Sequence, residues 1–105
     1  MLRRVQEFID SRLDDETLTP TVIAASNKMS VRYMNKLFER EGYSLSRWAR
    51  MRRLERCRLD LEDPRSSTRQ VSDIVYSHGF KSVSHFNRLF KARFGSAPGA
   101  FRQEK

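Results

Sequence analysis

The chain carries one nine-residue pattern twice. Ser30-Val31-Arg32-Tyr33-Met34-Asn35-Lys36-Leu37-Phe38 returns 52 positions later as Ser82-Val83-Ser84-His85-Phe86-Asn87-Arg88-Leu89-Phe90. Each copy opens on Ser-Val, carries Asn followed by a base, and closes on Leu-Phe. The likeness extends outward with small slips: Ala24 answers Val75 at an offset of 51, and Gly42 and Trp48 answer Gly95 and Phe101 at 53. One-residue slips are tolerated at turns, so they mark where turns belong. The repeat therefore predicts two similar helical units, each showing a polar basic face. A protein built this way touches something twice, and duplex DNA is the most economical target with a periodic surface.

Length and charge narrow the reading. A chain of 105 residues makes at most one domain, or two very small ones sharing a scaffold. Either half alone is too small to be secure, so a helix joining both is expected. The net charge of +8 is unevenly spread. Residues 1–31 carry four bases and five acids, and residues 32–58 carry nine and three. Residues 59–79 carry two and four, and residues 80–105 carry six and one. Both positive stretches contain a copy of the repeat, which is the footprint of a polyanion binder with two contact zones. Cys57 is the single cysteine, so no internal disulfide can form, and with two histidines it makes no metal site. No cofactor is expected. Neither a nucleophile–base pair nor a phosphate-cradling glycine loop is present, so no catalytic residue is assigned. No apolar run approaches a membrane span and no signal-peptide pattern opens the chain, which predicts a cytoplasmic protein with no membrane partner.

Apolar residues recur at helical spacing throughout, and no strand-like alternation persists. Leu2, Val5, Ile9 and Leu13 mark a first amphipathic helix, stopped near Asp14-Asp15-Glu16, whose charge suits no helix C-terminus. Thr19-Pro20 starts a second helix at about 20–27, expected to give Val22, Ile23 and Ala25 to a core. Ser30 caps a third helix to about Glu41. Ser44 caps a long fourth helix ending at Asp63-Pro64, with the stripe Leu45, Trp48, Met51, Leu54, Cys57 or Arg58, and Leu61. Ser67 or Thr68 caps a fifth helix holding Val71, Ile74 and Val75. Ser82 caps a sixth that ends near Phe94-Gly95, and Pro98 starts a short seventh with Phe101. The fold class is all-α: seven helices forming two helix-turn-helix subdomains, 1–43 and 64–105, joined by a linker helix at 44–63.

The recognition candidates follow from the faces. On the third helix Met34, Leu37 and Phe38 turn inward, leaving Arg32, Asn35, Lys36 and Glu39 outside. On the sixth, Phe86, Leu89 and Phe90 turn inward and Val83, Ser84, Asn87, Arg88 and Lys91 outward. Arg or Lys can donate to guanine O6 and N7, Asn can pair in both directions with adenine, and Val or a Ser methylene can meet a thymine methyl. Base reading is therefore expected from Arg32, Asn35, Lys36, Val83, Ser84, Asn87 and Arg88. Phosphate contacts are expected from Ser30, Lys81, Ser82, Lys91 and Arg93, the two serines because they stand at helix N-termini. His85, the counterpart of Tyr33, is expected to pack at the edge of the buried stripe. Trp48 and Phe101 read as core plugs, and Cys57 as a small buried apolar residue.

The run Ile74-Val75-x-x-x-Gly79-Phe80, then Ser84-x-Phe86-x-Arg88-x-Phe90-x-x-x-Phe94-Gly95-x-x-Pro98-x-x-Phe101-Arg102, resembles the signature of AraC/XylS-type transcriptional regulators. Ser30-x-x-Tyr33-Met34-x-Lys36-Leu37-Phe38-x-x-x-Gly42, followed by Arg53-Leu54-Glu55, resembles the first half of the same domain. The resemblance covers roughly residues 3–102. It implies a sequence-specific DNA-binding domain whose two recognition helices enter successive major-groove segments of a double-stranded site of about 20 bp. It also implies RNA polymerase as a partner in activation, an N-terminal ligand-binding or dimerisation domain outside this chain, and a place on the bacterial nucleoid. The rival reading is a nucleoid-type protein that binds DNA without sequence preference. The sequence departs from the family pattern twice: Val75 stands where Ala is usual, and Ala97 where Ser or Thr usually caps the last helix.

Overall fold

Seven α-helices and one 3-10 turn make up residues 1–15 and 17–103, the part of the chain that the computed structural model describes. The helices are α1 (Leu2–Asp10), α2 (Pro20–Ser26), α3 (Val31–Glu39), α4 (Leu45–Glu62), α5 (Val71–Ser77), α6 (Val83–Phe94) and α7 (Pro98–Gln103). Four of them start as the sequence predicts. Thr19 Oγ1 accepts from Val22 N–H at 3.2 Å with Pro20 in the first turn, and Ser30 Oγ accepts from Tyr33 N–H at 3.0 Å. Ser44 Oγ accepts from Arg47 N–H at 3.1 Å, and Ser82 Oγ from His85 N–H at 3.2 Å. Each such cap contributes roughly 0.5–2 kcal/mol.

Two expectations about helix packing are corrected. In α2 the buried residues are Ile23 and Ala24, while Val22 is 40% exposed and Ala25 faces solvent. A two-turn helix offers a narrow stripe, and here its third position (i+4 from Ile23) is the buried Asn27 rather than Val22 or Ala25. Before α5, neither Ser67 nor Thr68 is the cap. Asp63 Oδ1 accepts from Arg65 N–H at 2.9 Å and starts the 3-10 turn Pro64–Ser66, so the chain is spent in turns until Gln70, which precedes α5 without a side-chain bond. A carboxylate directly ahead of a proline is a ready cap, and it captures the start that the later hydroxyls would have made. Of the acids after α1, Asp14 and Asp15 are exposed beyond the end of the helix at Asp10. Glu16 lies outside the described residues.

The chain divides into two compact units, Met1–Arg52 and Arg53–Lys105, with the boundary inside α4. The first unit packs Val5, Ile9, Leu13, Ile23, Ala24, Met34, Phe38, Leu45 and Ala49 into one cluster, against which Trp48 leans half-buried. The second packs Leu54, Cys57, Leu61, Ile74, Val75, Phe86 and Phe90. Of the stripe expected on α4, Leu45, Leu54, Cys57 and Leu61 are buried and Trp48 and Met51 half-buried, while Ala49, not expected there, is buried. Burying a side chain such as Phe86 or Ile74 contributes roughly 1.5–3 kcal/mol. Aromatic rings add to the second cluster, with Phe86 5.0 Å from Phe80 and Phe90 4.6 Å from Phe94 and 5.7 Å from Phe101. Phe101 is the packing residue that its match to Trp48 suggested. Val75, unusual for the resemblance, is fully buried.

The first slip of the repeat falls at a turn, as expected, whereas the second falls inside the longer α6. Met29 N–H bonds Ala24 O at 3.0 Å, and Phe80 N–H bonds Val75 O at 3.4 Å, so these residues are equivalent and Lys81 is the extra one before Ser82. The left-handed position ahead of them is Lys28 (φ 57°) in the first turn and Gly79 (φ 87°) in the second. The second slip lies between Phe90 and Gly95, within α6, which runs on to Phe94 while α3 stops at Glu39. Among the described residues no helix is long and apolar enough to cross a membrane.

Candidate nucleic-acid interface

Helices α3 and α6 each divide cleanly into an inner and an outer side. In α3, Met34 and Phe38 are fully buried and Leu37 nearly so, while Arg32, Asn35, Lys36 and Glu39 are exposed. In α6, Phe86 and Phe90 are fully buried, and Ser84, Asn87, Arg88 and Lys91 are exposed. The buried stripe fixes the rotation of each helix, so the amides and cations opposite it are held out as a set. Asn35 with Lys36 and Asn87 with Arg88 occupy matched positions of the two copies. Ser30 and Ser82 use their oxygens as caps, which leaves each hydroxyl proton able to donate outward. Lys81 is exposed beside Ser82.

Three placements differ from expectation. Val83 is half-buried and packs against the second cluster, because it lies a turn before Phe86 and Phe90 on their side of the helix. Its edge, not its whole side chain, is left for a thymine methyl. Arg93 is turned away from the outer set: its Nη2 lies 3.2 Å from Glu55 Oε1, and its guanidinium sits 5.4 Å from the Phe94 ring centroid. An arginine already facing a carboxylate is a poor phosphate contact. His85 is exposed, and its counterpart Tyr33 is 40% exposed. One residue past Ser84 and Arg32, they stand about 100° around the helix, beyond the buried stripe. They belong with the outer sets, next to Arg88 and Lys36 at i+3. Their signal in the sequence was that a position alternating Tyr and His is not an apolar one.

A network of charged groups holds α6 and its turn in the second unit. Glu55 accepts from Arg58 at 3.2 Å as well as from Arg93, and Arg58 donates to Glu62 at 2.8 Å. Burial works against the Arg58 charge, but the Glu62 and Glu55 carboxylates outweigh it and raise its pKa above the usual arginine value. At the turn, His78 Nε2 meets Asp60 Oδ2 at 2.6 Å, and Arg69 stands 4.0 Å from the same oxygen. Arg102 Nη1 donates to Arg69 O at 2.6 Å and its Nη2 to Ser66 O, fastening α7 to the segment before α5. Asp63 is held below the usual carboxylate range by the Arg65 guanidinium and backbone N–H that it accepts from. In the first unit Arg52 Nε lies 2.9 Å from Asp10 Oδ1, and Arg4 donates to Asn27 O at 2.8 Å.

The chain is similar to known proteins over nearly its full length. A family model described as a helix-turn-helix domain matches residues 23–104. The transcriptional activator NphR of Rhodococcus sp. is 42% identical over 103 residues, which are 98% of this chain and 30% of that protein. The transcriptional activator RhrA of Rhizobium meliloti is 31% identical over 96 residues, 90% of this chain and again 30% of that protein. The chain therefore spans about a third of the length of these relatives. Among solved structures, a probable AraC family transcriptional regulator from Rhodopseudomonas palustris superposes with a TM-score of 0.88 at 29% identity, covering 98% of this chain and 94% of that one.

Proposed function

The chain belongs to the AraC/XylS family of helix-turn-helix transcription regulators, as its DNA-binding domain, and on that premise we propose how it reads DNA. Helices α3 and α6 enter two successive major-groove segments of one site of about 20 bp. Arg32, Asn35 and Lys36 read bases in one segment, and Ser84, Asn87 and Arg88 in the other, with the edge of Val83 against a thymine methyl. Ser30, Lys81, Ser82 and Lys91 contact phosphates and set the register. The observation that supports this reading is the pairing of a buried stripe (Met34, Leu37 and Phe38 in one copy, Phe86 and Phe90 in the other) with an exposed Asn–base pair at the same position of both copies. A sequence-tolerant binder needs charge alone and gives no reason for matched amides.

The names of the relatives support a role in activation, and recruitment of RNA polymerase is the means proposed for it. Site selection from a random duplex library tests the reading directly. A two-part consensus is expected, and inserting five base pairs, half a helical turn, between its parts should abolish specific binding. Recovery of no consensus, or unchanged affinity after the insertion, would overturn the proposal.

A further inference from the structure

The turn that leads into each reading helix is tied sideways to an earlier helix, at one matched position. Asn27 and His78 hold that position, 51 residues apart, each directly ahead of the left-handed residue of its turn. In the first unit the backbone carbonyl of Asn27 accepts from Arg4 of α1 at 2.8 Å. In the second, His78 Nε2 lies 2.6 Å from Asp60 Oδ2 of α4. An ionised carboxylate only accepts, so Nε2 carries the hydrogen and donates it. The two copies thus keep a tether at this place while changing both of its partners. We propose that Asp60 is a positioning residue for DNA reading: through His78 it sets the tilt of α6, and with it the base preference of the second unit. The inference rests on the reading given above and adds to it a group that acts without touching bases or phosphates.

The second turn has a particular need of such a tie. Its left-handed residue is Gly79, which leaves the backbone free to swing where Lys28 does not. The bond that closes it, from Phe80 N–H to Val75 O, is 3.4 Å long, against 3.0 Å for Met29 N–H to Ala24 O in the first. Phe86 and Phe90 hold the middle of α6 in the core, so slack in the turn becomes tilt about those rings. A tilt moves Arg88 against the base edges, where a displacement of about 0.5 Å decides whether a polar contact is made. The His78 side chain is 12% exposed, so water is a poor substitute for Asp60 as its acceptor. Arg69 stands 4.0 Å from the same carboxylate oxygen, so the segment before α5 meets the turn after it at one point.

A double-mutant cycle tests this, read as selectivity, the ratio of affinities for a selected and a random duplex. Asp60→Ala should lower that ratio roughly tenfold, a loss of the size expected when a buried donor is left without its acceptor. Affinity for the random duplex should not change. Asp60→Asn, whose side-chain oxygen still accepts, should stay within about twofold of the wild type. Since Asp60 acts by placing Arg88, Asp60→Ala should alter the ratio by less than about twofold in a protein already carrying Arg88→Ala. A contact that served stability alone would shift the melting temperature in both backgrounds and the ratio in neither. If Asp60→Ala does not fold, His78→Leu removes the donor, fills its space and leaves to water a carboxylate side chain that is already 32% exposed. It should reproduce both the loss and its dependence on Arg88. Wild-type selectivity in these variants, or a loss fully additive with that of Arg88→Ala, overturns the inference. If Arg88→Ala by itself still relaxes base preference, the DNA-reading proposal stands and this one alone falls. If Arg88→Ala leaves base preference intact, the reading falls and takes this inference with it.

Discussion

The two units solve one problem with different materials. Each must hold a helix so that its amide and cation point outward. The first does it with a largely aliphatic cluster in which, among the described residues, Phe38 is the one fully buried ring, tied by Arg52–Asp10 and by Arg4 to Asn27 O. The second does it with phenylalanines packed tilted and edge to face, the Arg58–Glu55–Arg93 network, and two side chains, Asp60 and Arg102, that fasten the segments around α5. Their reading helices differ in the same sense. The outer side of α3 carries Glu39 beside Arg32 and Lys36, whereas that of α6 carries Arg88 and Lys91 with no acid. A repeated sequence pattern therefore preserves the pose of a helix while leaving its electrostatics free to diverge. We propose accordingly that the second unit supplies more of the affinity and the first more of the choice among sites.

The largest effects should come from the cores. Phe90→Ala removes the ring that meets Phe86, Phe94 and Phe101, and should cost roughly 3–5 kcal/mol of stability by urea denaturation. Phe38→Ala should fall in the same range but destabilise less, because its neighbours Tyr43 and Trp48 are half-buried. Equal losses would remove the contrast between the two cores. Next come the reading helices: Arg88→Ala should cost about 1–3 kcal/mol and relax base preference locally. Lys36→Ala should cost less, measured by competition between selected and random duplexes. A greater loss for Lys36 would reverse the assignment of affinity to the second unit.

A smaller effect concerns a cap present in one copy and missing in the other. Ser44 caps α4, and Ala97, 53 positions later, stands at the matching place before α7. Ala97→Ser should restore it and raise stability by about 1 kcal/mol, read as a higher melting temperature. The smallest effect is electrostatic. Glu39→Gln removes a carboxylate from the face of α3 and should tighten binding to many duplexes, most visibly at low salt. If it instead weakens the selected site alone, the carboxylate accepts from a cytosine amino group, and the asymmetry of charge means something else.

The helices and the outward faces of α3 and α6 were legible because periodicity and capping are local properties. Ser30, Ser44 and Ser82 announce their helices within three residues, and the stripes of α3 and α6 repeat the same apolar letters. What escaped depends on partners far along the chain. Arg93 looks like any basic residue on α6 until Glu55, 38 residues earlier, is beside it. Val83 reads with the outward set of α6, yet its angle around the helix is that of Phe86 and Phe90, and it packs against their cluster. Asn27 sits in the first core because its amide bonds Ile23 O at 2.7 Å and its carbonyl takes Arg4, satisfactions that composition does not show. His85 reads as the edge of the buried stripe, one residue before Phe86, yet it stands exposed.

One small difference between the copies has a consequence for how the molecule opens. Lys28 holds the left-handed conformation that Gly79 holds without strain, and for a residue with a side chain this costs about 1–2 kcal/mol. The buried Asn27 and its bonds to Ile23 and Arg4 keep the turn in place against that cost. A strained turn of this kind is the natural first point of local unfolding. In amide hydrogen exchange the segment 27–30 should lose its protons ahead of 78–82, and Lys28→Gly should narrow the gap. The earlier turn of the pair then acts as the molecule's fuse, yielding while the rest stays folded.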